Sequence, residues 1–226
     1  MIHAYSADYL THAQQTLGGM LLAGVYLFDV PADEFWSAFI STGYAARFGK
    51  GEAGVVAGLS GWELAVRVLE KAGRPFEKRR PIAADTLPPP YWAGWALAKY
   101  QWYTGLSFEC IESVIPVSSV IDLYHPYHEM DVKRFFRKLD DLYLAKYPDT
   151  NLRRIRRAAN FTRVDLARIA EVSPRMIGKY ESREKDINHA QSDVVARLAV
   201  ALHVTAADLC ERVIPNNDYS DFMYGG

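Results

Sequence analysis

The stretch Thr162 to Tyr180, TRVDLARIAEVSPRMIGKY, decides how the chain is read. Thr162 offers a side-chain oxygen to the unpaired amides that begin a helix, and Asp165 three residues on can return a bond to the Thr162 amide, as in a capping box. The spacing therefore predicts a helix from Thr162 with Leu166, Ala167 and Ala170 on its apolar side. Glu171-Val172-Ser173 follows and supplies the next cap, Ser173, with Pro174 at the first helical position, where no amide donor is needed. A second helix is predicted at once. Its core anchor is Ile177, which leaves Pro174, Arg175, Gly178 and Lys179 on the open side.

The neighbouring segments extend this pair into a bundle. Leu152 to Ala159 offers Leu152, Ile155 and Ala159 to a core, while Val194 to Val204 and Ala206 to Glu211 would close it from behind. The order of five helices resembles the bacterial Cro/repressor-like helix-turn-helix. The small residue of that family's first helix, the hydrophobic residue of its turn, and its late aromatic-Glu pair are matched by Ala167, Val172 and Tyr180-Glu181. Two positions depart from the pattern. Arg183 stands where glycine commonly follows the second helix, and Ile187-Asn188 stands where a proline is common before the fourth. The connection from Ser182 to Ala190 is therefore expected to be helical or ordered in an unusual way.

Charge points the same way. The formal net charge is −1, but Asn151 to Ala190 carries ten Lys and Arg against five Asp and Glu, and the remainder 16 against 22. A basic segment that neutralises phosphates binds nucleic acid through counterion release. The ordinary alternative is a solvated face, which fits Arg153, Arg154, Arg156 and Arg157 equally well. The capped helix pair is what favours DNA.

At 226 residues the chain suffices for two domains, and half of it is hydrophobic or aromatic. No basic n-region precedes an apolar run, and no apolar stretch approaches the roughly 18 residues of a membrane span. A soluble, cytoplasmic protein is expected. Cys110 and Cys210 lie far apart with no zinc-type spacing, and read as small buried hydrophobes. No nucleophile, base and orienting group stand at recognisable spacing, so no catalytic residue, enzyme activity or cofactor is expected.

The first half reads as helices throughout, with no strand signal of useful length. Ala4 to Phe28 is a helix by its apolar spacing, and Gly18-Gly19 marks a close helix crossing. Pro31 opens a helix through Phe35, Trp36, Phe39 and Ile40 that runs out near Phe48-Gly49. The glycines of 49–61 invite a phosphate-loop reading, but Gly51 follows Lys50 where that motif requires Ser or Thr, and no strand precedes it. A connecting loop followed by a Ser60–Glu63 capping box is the better reading, with a helix ending at Gly73. Arg74 to Pro90 is a long surface connection, basic at Lys78-Arg79-Arg80. In the next helix Trp92, Trp95, Tyr100, Trp102 and Tyr103 surround the axis, so they cannot all face one core. They form either an aromatic core with a few exposed rings or a protein-binding groove, since Trp and Tyr are favoured interface anchors. Short helices follow from Ser107 and from Ser118 or Ser119. His125, His128 and Glu129 lack a fourth ligand nearby, and Pro126 prevents a regular helical arrangement, so no metal site is expected. Glu129 to Lys146 is the last long helix.

AQQTLGGM, FISTGYAARFGKGEAGVVAGLSGWELA and PPPYWAGWALAKYQWYTGLSF, ahead of the Cro-like segment and its KDIN-HAQ run, resemble an uncharacterised bacterial helix-turn-helix family. Its members look like components of small mobile or defence-type operons, sometimes beside an ADP-ribosyltransferase-like toxin. The resemblance implies an antitoxin-like role and a cognate toxin as partner.

The reading is thus all-α: an N-terminal helical domain, 1–148, for partner binding or dimerisation; a five-helix Cro/repressor-like domain, 149–214; and a flexible tail, 215–226. The expected partners are double-stranded DNA and a second copy of the chain. Pro174, Arg175 and Lys179 are the candidate base readers. Thr162, Arg163, Ser173, Arg183, Lys185, Asn188 and His189 are the candidate phosphate contacts.

Overall fold

The structure, a computed structural model, describes residues 3–77, 88–215, 217 and 219. Among them there are helices and no strands. The chain divides into two units, Met1–Leu142 with Asp218–Gly226, and Tyr143–Asn217. The sequence break at Pro148 lies within the second unit.

The first unit contains α1 (Leu10–Leu22), α2 (Ala32–Ser41), α3 (Tyr44–Gly49), α4 (Ala53–Val56), α5 (Gly61–Lys71), α6 (Pro89–Thr104), α7 (Phe108–Val114), α8 (Val117–Asp122), α9 (Tyr124–Tyr127) and most of α10 (Val132–Lys146). α1 is gripped at backbone distance from two sides. A side-chain carbon on Gly94 would lie 2.5 Å from the Leu17 carbonyl oxygen, and one on Gly61 2.4 Å from the Gly19 carbonyl carbon. The Gly18-Gly19 pair is thus a helix crossing, as its sequence suggests. The predicted helix from Ala4 instead begins at Leu10 after a 3₁₀ turn, and finishes as a π turn, Ala23–Leu27. Gly43, at φ 81°, separates α2 from α3 within what read as one helix. The Ser60–Glu63 capping box forms as predicted.

Of the two alternatives the sequence left open for the α6 rings, burial favours the aromatic core with a few exposed rings. Trp92, Tyr100, Trp102 and Tyr103 are buried, and only Trp95 of the five is half-exposed. A helix apolar on every side belongs at the centre of a core, and here each ring has a cover. Trp92 meets Phe135 of α10 edge-on at 5.1 Å, Tyr100 meets Phe136 at 5.3 Å, and Trp102 stacks on His3 at 3.8 Å. Tyr103 packs against Tyr219 at 4.8 Å.

Tyr219 corrects the tail. It is 1% exposed, its ring also meets Phe136, and its hydroxyl donates to Asp140 Oδ2. Asp140 Oδ1 accepts the Tyr100 hydroxyl at 3.0 Å. Residues 216, 218 and 220–226 of the predicted tail, and the basic run Lys78-Arg79-Arg80, lie outside the described residues.

The second unit contains α11 (Asn151–Ala158), α12 (Arg163–Ala170), α13 (Pro174–Glu181), α14 (Ser192–Ala201) and α15 (Ala206–Leu209). Leu152, Leu166, Ile177, Tyr180, Leu198 and Leu209 lead its core. The Ser182 to Ala190 connection holds a 3₁₀ turn, Ile187–His189, with Ile187 buried in that core.

Candidate nucleic-acid interface

The two helices of the helix-turn-helix pair start where their caps place them. The Thr162 hydroxyl accepts the Asp165 amide at 3.1 Å, and Asp165 Oδ2 accepts the Thr162 amide at 3.1 Å. The Thr162 hydroxyl, which also donates to Oδ2 at 2.6 Å, and then the Thr162 amide hold the Asp165 carboxyl below its ordinary range. Glu171, at φ 53°, turns the chain, and Ser173 Oγ accepts the Met176 amide at 3.2 Å to open α13. Pro174 and Arg175 are therefore presented at the exposed first turn of α13, while Ile177 and Tyr180 anchor its opposite side. Arg175 makes no hydrogen bond or ion pair among the described residues.

Lys179, one turn on, is half-buried, and its Nζ pairs with Glu184 Oε1 at 2.6 Å. A base contact from Lys179 requires that pair to open. Lys185 and His189 are exposed, with His189 Nδ1 3.0 Å from Asp186 Oδ2.

Besides Ser173 and His189, whose contacts are given above, four more of the seven candidate phosphate residues are engaged within the domain. The Thr162 hydroxyl is committed to Asp165. Arg183 adopts φ 59°, the left-handed conformation for which glycine is the usual residue, and Nη1 donates to the Pro148 carbonyl at 2.6 Å. The Asn188 side chain clasps the backbone of Glu211, donating to its carbonyl at 2.8 Å and accepting its amide at 2.9 Å. Arg183 and Asn188 thus tie the α13–α14 connection to the two ends of the domain, and do not reach outward. Arg163 is divided: Nε donates to Glu181 Oε2 at 2.7 Å, yet 48% of the side chain stays exposed.

The anchor of this arrangement is Glu181, which sequence reading treated only as part of a family pattern. Its carboxylate takes Arg156 and Arg163 together. Burial raises its pKa, and the hydrogen bonds and charges of the two guanidinium groups outweigh that, holding it below the usual range. Arg156 is consequently neither a solvated nor a DNA-facing residue: it is buried, and Nη1 also donates to the Phe161 carbonyl at 2.6 Å. Its position four residues after Leu152, on the apolar stripe of α11, was the available signal. Arg153, Arg154 and Arg157 do lie outside the core, with Arg153 and Arg157 paired to Asp149.

His125 and His128 are closer than Pro126 suggested. Their rings sit at right angles with centroids 4.6 Å apart. In addition, no described helix is long and apolar enough to cross a membrane.

Residues 152–209 match the helix-turn-helix family model. No curated protein and no solved structure matches the chain. With its two capped helices, its turn at Glu171 and its exposed first turn of α13, the segment 152–209 is a DNA-binding helix-turn-helix domain of the Cro/C1 type.

Proposed function

We propose that the protein is a sequence-specific transcriptional regulator that represses its own operon in the manner of an antitoxin. The observation that carries the DNA-reading part is the exposed, unpaired Arg175 at the N-terminal turn of α13, in a helix fixed from behind by Ile177 and Tyr180. Placed in the major groove, Arg175 would take a guanine edge through two bonds, and Pro174 would meet a thymine methyl. Ser173, Arg163, Lys185 and His189 would contact phosphates and set the register. The autorepressing, antitoxin-like part rests on the sequence resemblance of the first half.

One such domain reads too few base pairs for tight binding, so a homodimer on a pseudo-palindrome follows, with half-sites about one helical turn apart. Ile169 of α12 and Val200 of α14, 48% and 74% exposed, share a shallow apolar groove bordered by Glu171 and Arg197. Opposite charges on one patch are self-complementary under a two-fold axis, so Glu171 of each copy would face Arg197 of the other. Val200→Glu should shift the mass in sedimentation from dimer to monomer.

The test of the reading is anisotropy of the full chain on DNA from upstream of its own gene, against scrambled DNA, over a salt series. Tight, salt-dependent binding with preference for the native sequence is expected. Weak binding without preference would overturn it and favour a neutraliser that acts through the acidic remainder of the chain on a toxin protein.

A further inference from the structure

We propose that His125, His128 and Glu129 form a binding site for a divalent transition metal of the zinc type, in the turn that precedes α10. One donor atom from each residue lies within 4.8 Å of the other two. Metal–nitrogen and metal–oxygen bonds of about 2 Å put tetrahedral ligands roughly 3.3 Å apart, so exposed side chains need close by at most about 1.5 Å. Rotamer adjustment of His125 and Glu129, both exposed, supplies that movement.

His128 is already prepared for the role. Its Nδ1 lies 2.9 Å from the Tyr124 carbonyl oxygen, an acceptor only, so the ring proton sits on Nδ1 and the Nε2 lone pair is left to bind. Nε2 is the nitrogen that faces Glu129, with Oε1 at 3.6 Å. A carbonyl behind the distal nitrogen is the arrangement by which metal-binding histidines are oriented. The ring is also held in plane: Tyr124 stacks on it at 3.8 Å and 10°. Tyr124 in turn packs edge-on against Trp92 at 5.8 Å, and thus against the aromatic core. His125 completes the group, edge-on to Tyr124 at 4.8 Å and to His128 at 4.6 Å.

Two imidazoles and one carboxylate suit zinc, cobalt, nickel or copper, and not magnesium or calcium, which require oxygen ligands. Three protein ligands leave a fourth position open to water or to a donor from another molecule. Neither the Pro126 interruption nor the absence of a regular helix opposes the site. His125, at φ −93° and ψ 126°, leaves the helical path, and its ring lies edge-on to that of His128.

The test is titration of the metal-free full chain with Zn²⁺ by calorimetry and with Co²⁺ by visible absorption. One metal per chain with micromolar or tighter affinity is expected, together with the intense visible bands of four-coordinate cobalt. His125→Ala and Glu129→Gln, both at exposed positions, should each weaken binding about 10- to 100-fold, and His128→Ala at least as much. His12→Ala, an exposed histidine outside the cluster, should leave it unchanged. No binding, octahedral cobalt spectra, or equal losses in the His12 and His125 variants would overturn the site.

Discussion

Arg156 of α11 holds Glu181 of α13 through two hydrogen bonds, Nε to Oε1 at 2.6 Å and Nη2 to Oε2 at 3.1 Å, with the Glu181 side chain fully removed from water. Arg163 of α12 takes the same carboxylate from a third helix. The reading helix is thereby fixed to both helices before it. Removing one member of such a pair leaves a buried charge without a partner, which costs about 3 to 5 kcal/mol. Glu181→Ala is therefore expected to lower the unfolding free energy of the second unit by that amount. Arg163→Ala, at a half-exposed position, should cost less than half as much. Urea unfolding followed by helix circular dichroism reads both, and a Glu181→Ala effect below about 1 kcal/mol would contradict the anchoring role.

The Asp140 carboxyl carries the opposite sign of pH dependence. Burial is the main cause of its rise to about 6, opposed by the hydroxyls of Tyr219 and Tyr100 and assisted by the neighbouring charge of Asp141. Burial and Asp140 itself push the Tyr219 hydroxyl up, with Arg137 acting weakly against them. A folded value above the unfolded one means that the native state binds more protons between about pH 4 and 6. This group's contribution therefore falls as pH rises through that window. Glu181, held low, contributes stability that is present above its unfolded value and lost as pH falls through its folded one. Melting temperatures of the wild type and Asp140→Asn from pH 4 to 8 should converge at the acid end and separate above pH 6, with the variant the more stable. Parallel curves would refute the assignment.

Tyr219 fills space in the first unit and satisfies Asp140. Tyr219→Ala should destabilise that unit by about 3 kcal/mol, the scale of losing a buried aromatic ring. Tyr219→Phe keeps the ring and removes one donor to the carboxylate, at about 1 to 2 kcal/mol. Hydrogen exchange at α6 and α10 distinguishes this from a solvated tail, for which both substitutions would be silent.

In the proposed DNA contact, Arg175→Ala is expected to cost about 1 to 3 kcal/mol and to relax sequence preference. Glu184→Gln should do the reverse. It releases Lys179 from its 2.6 Å pair and removes a negative charge that lies within the field of Arg175. Binding isotherms at fixed salt should show tighter binding and a steeper salt dependence for this variant. Unaltered affinity in both variants would place the contact surface elsewhere.

The caps were the most legible part of the sequence. Thr162, Ser173 and Ser60 act within three residues, and each opens its helix as predicted. What local spacing does not encode is which charged side chain turns inward. Arg183 and Asn188 read as outward contacts because the groups that engage them, Pro148 and Glu211, are distant in sequence. The rings of α6 posed the same difficulty: their arrangement around the axis was evident, but not that other segments, α10, His3 and Tyr219 among them, cover nearly every side. Tyr219 stands alone in a polar run with no periodicity, and only the Asp140–Tyr100 pair it meets explains its burial.

That burial also sets an order of assembly. The chain leaves the first unit at Leu142, builds the whole helix-turn-helix unit, and returns at Asp218. Domains fold as units while they emerge from the ribosome, the earlier one ordinarily first. Here the earlier one lacks a core ring that is synthesised after the later one. During synthesis the helix-turn-helix unit can complete its own core before Tyr219 emerges to take its place beside Asp140 in the first unit.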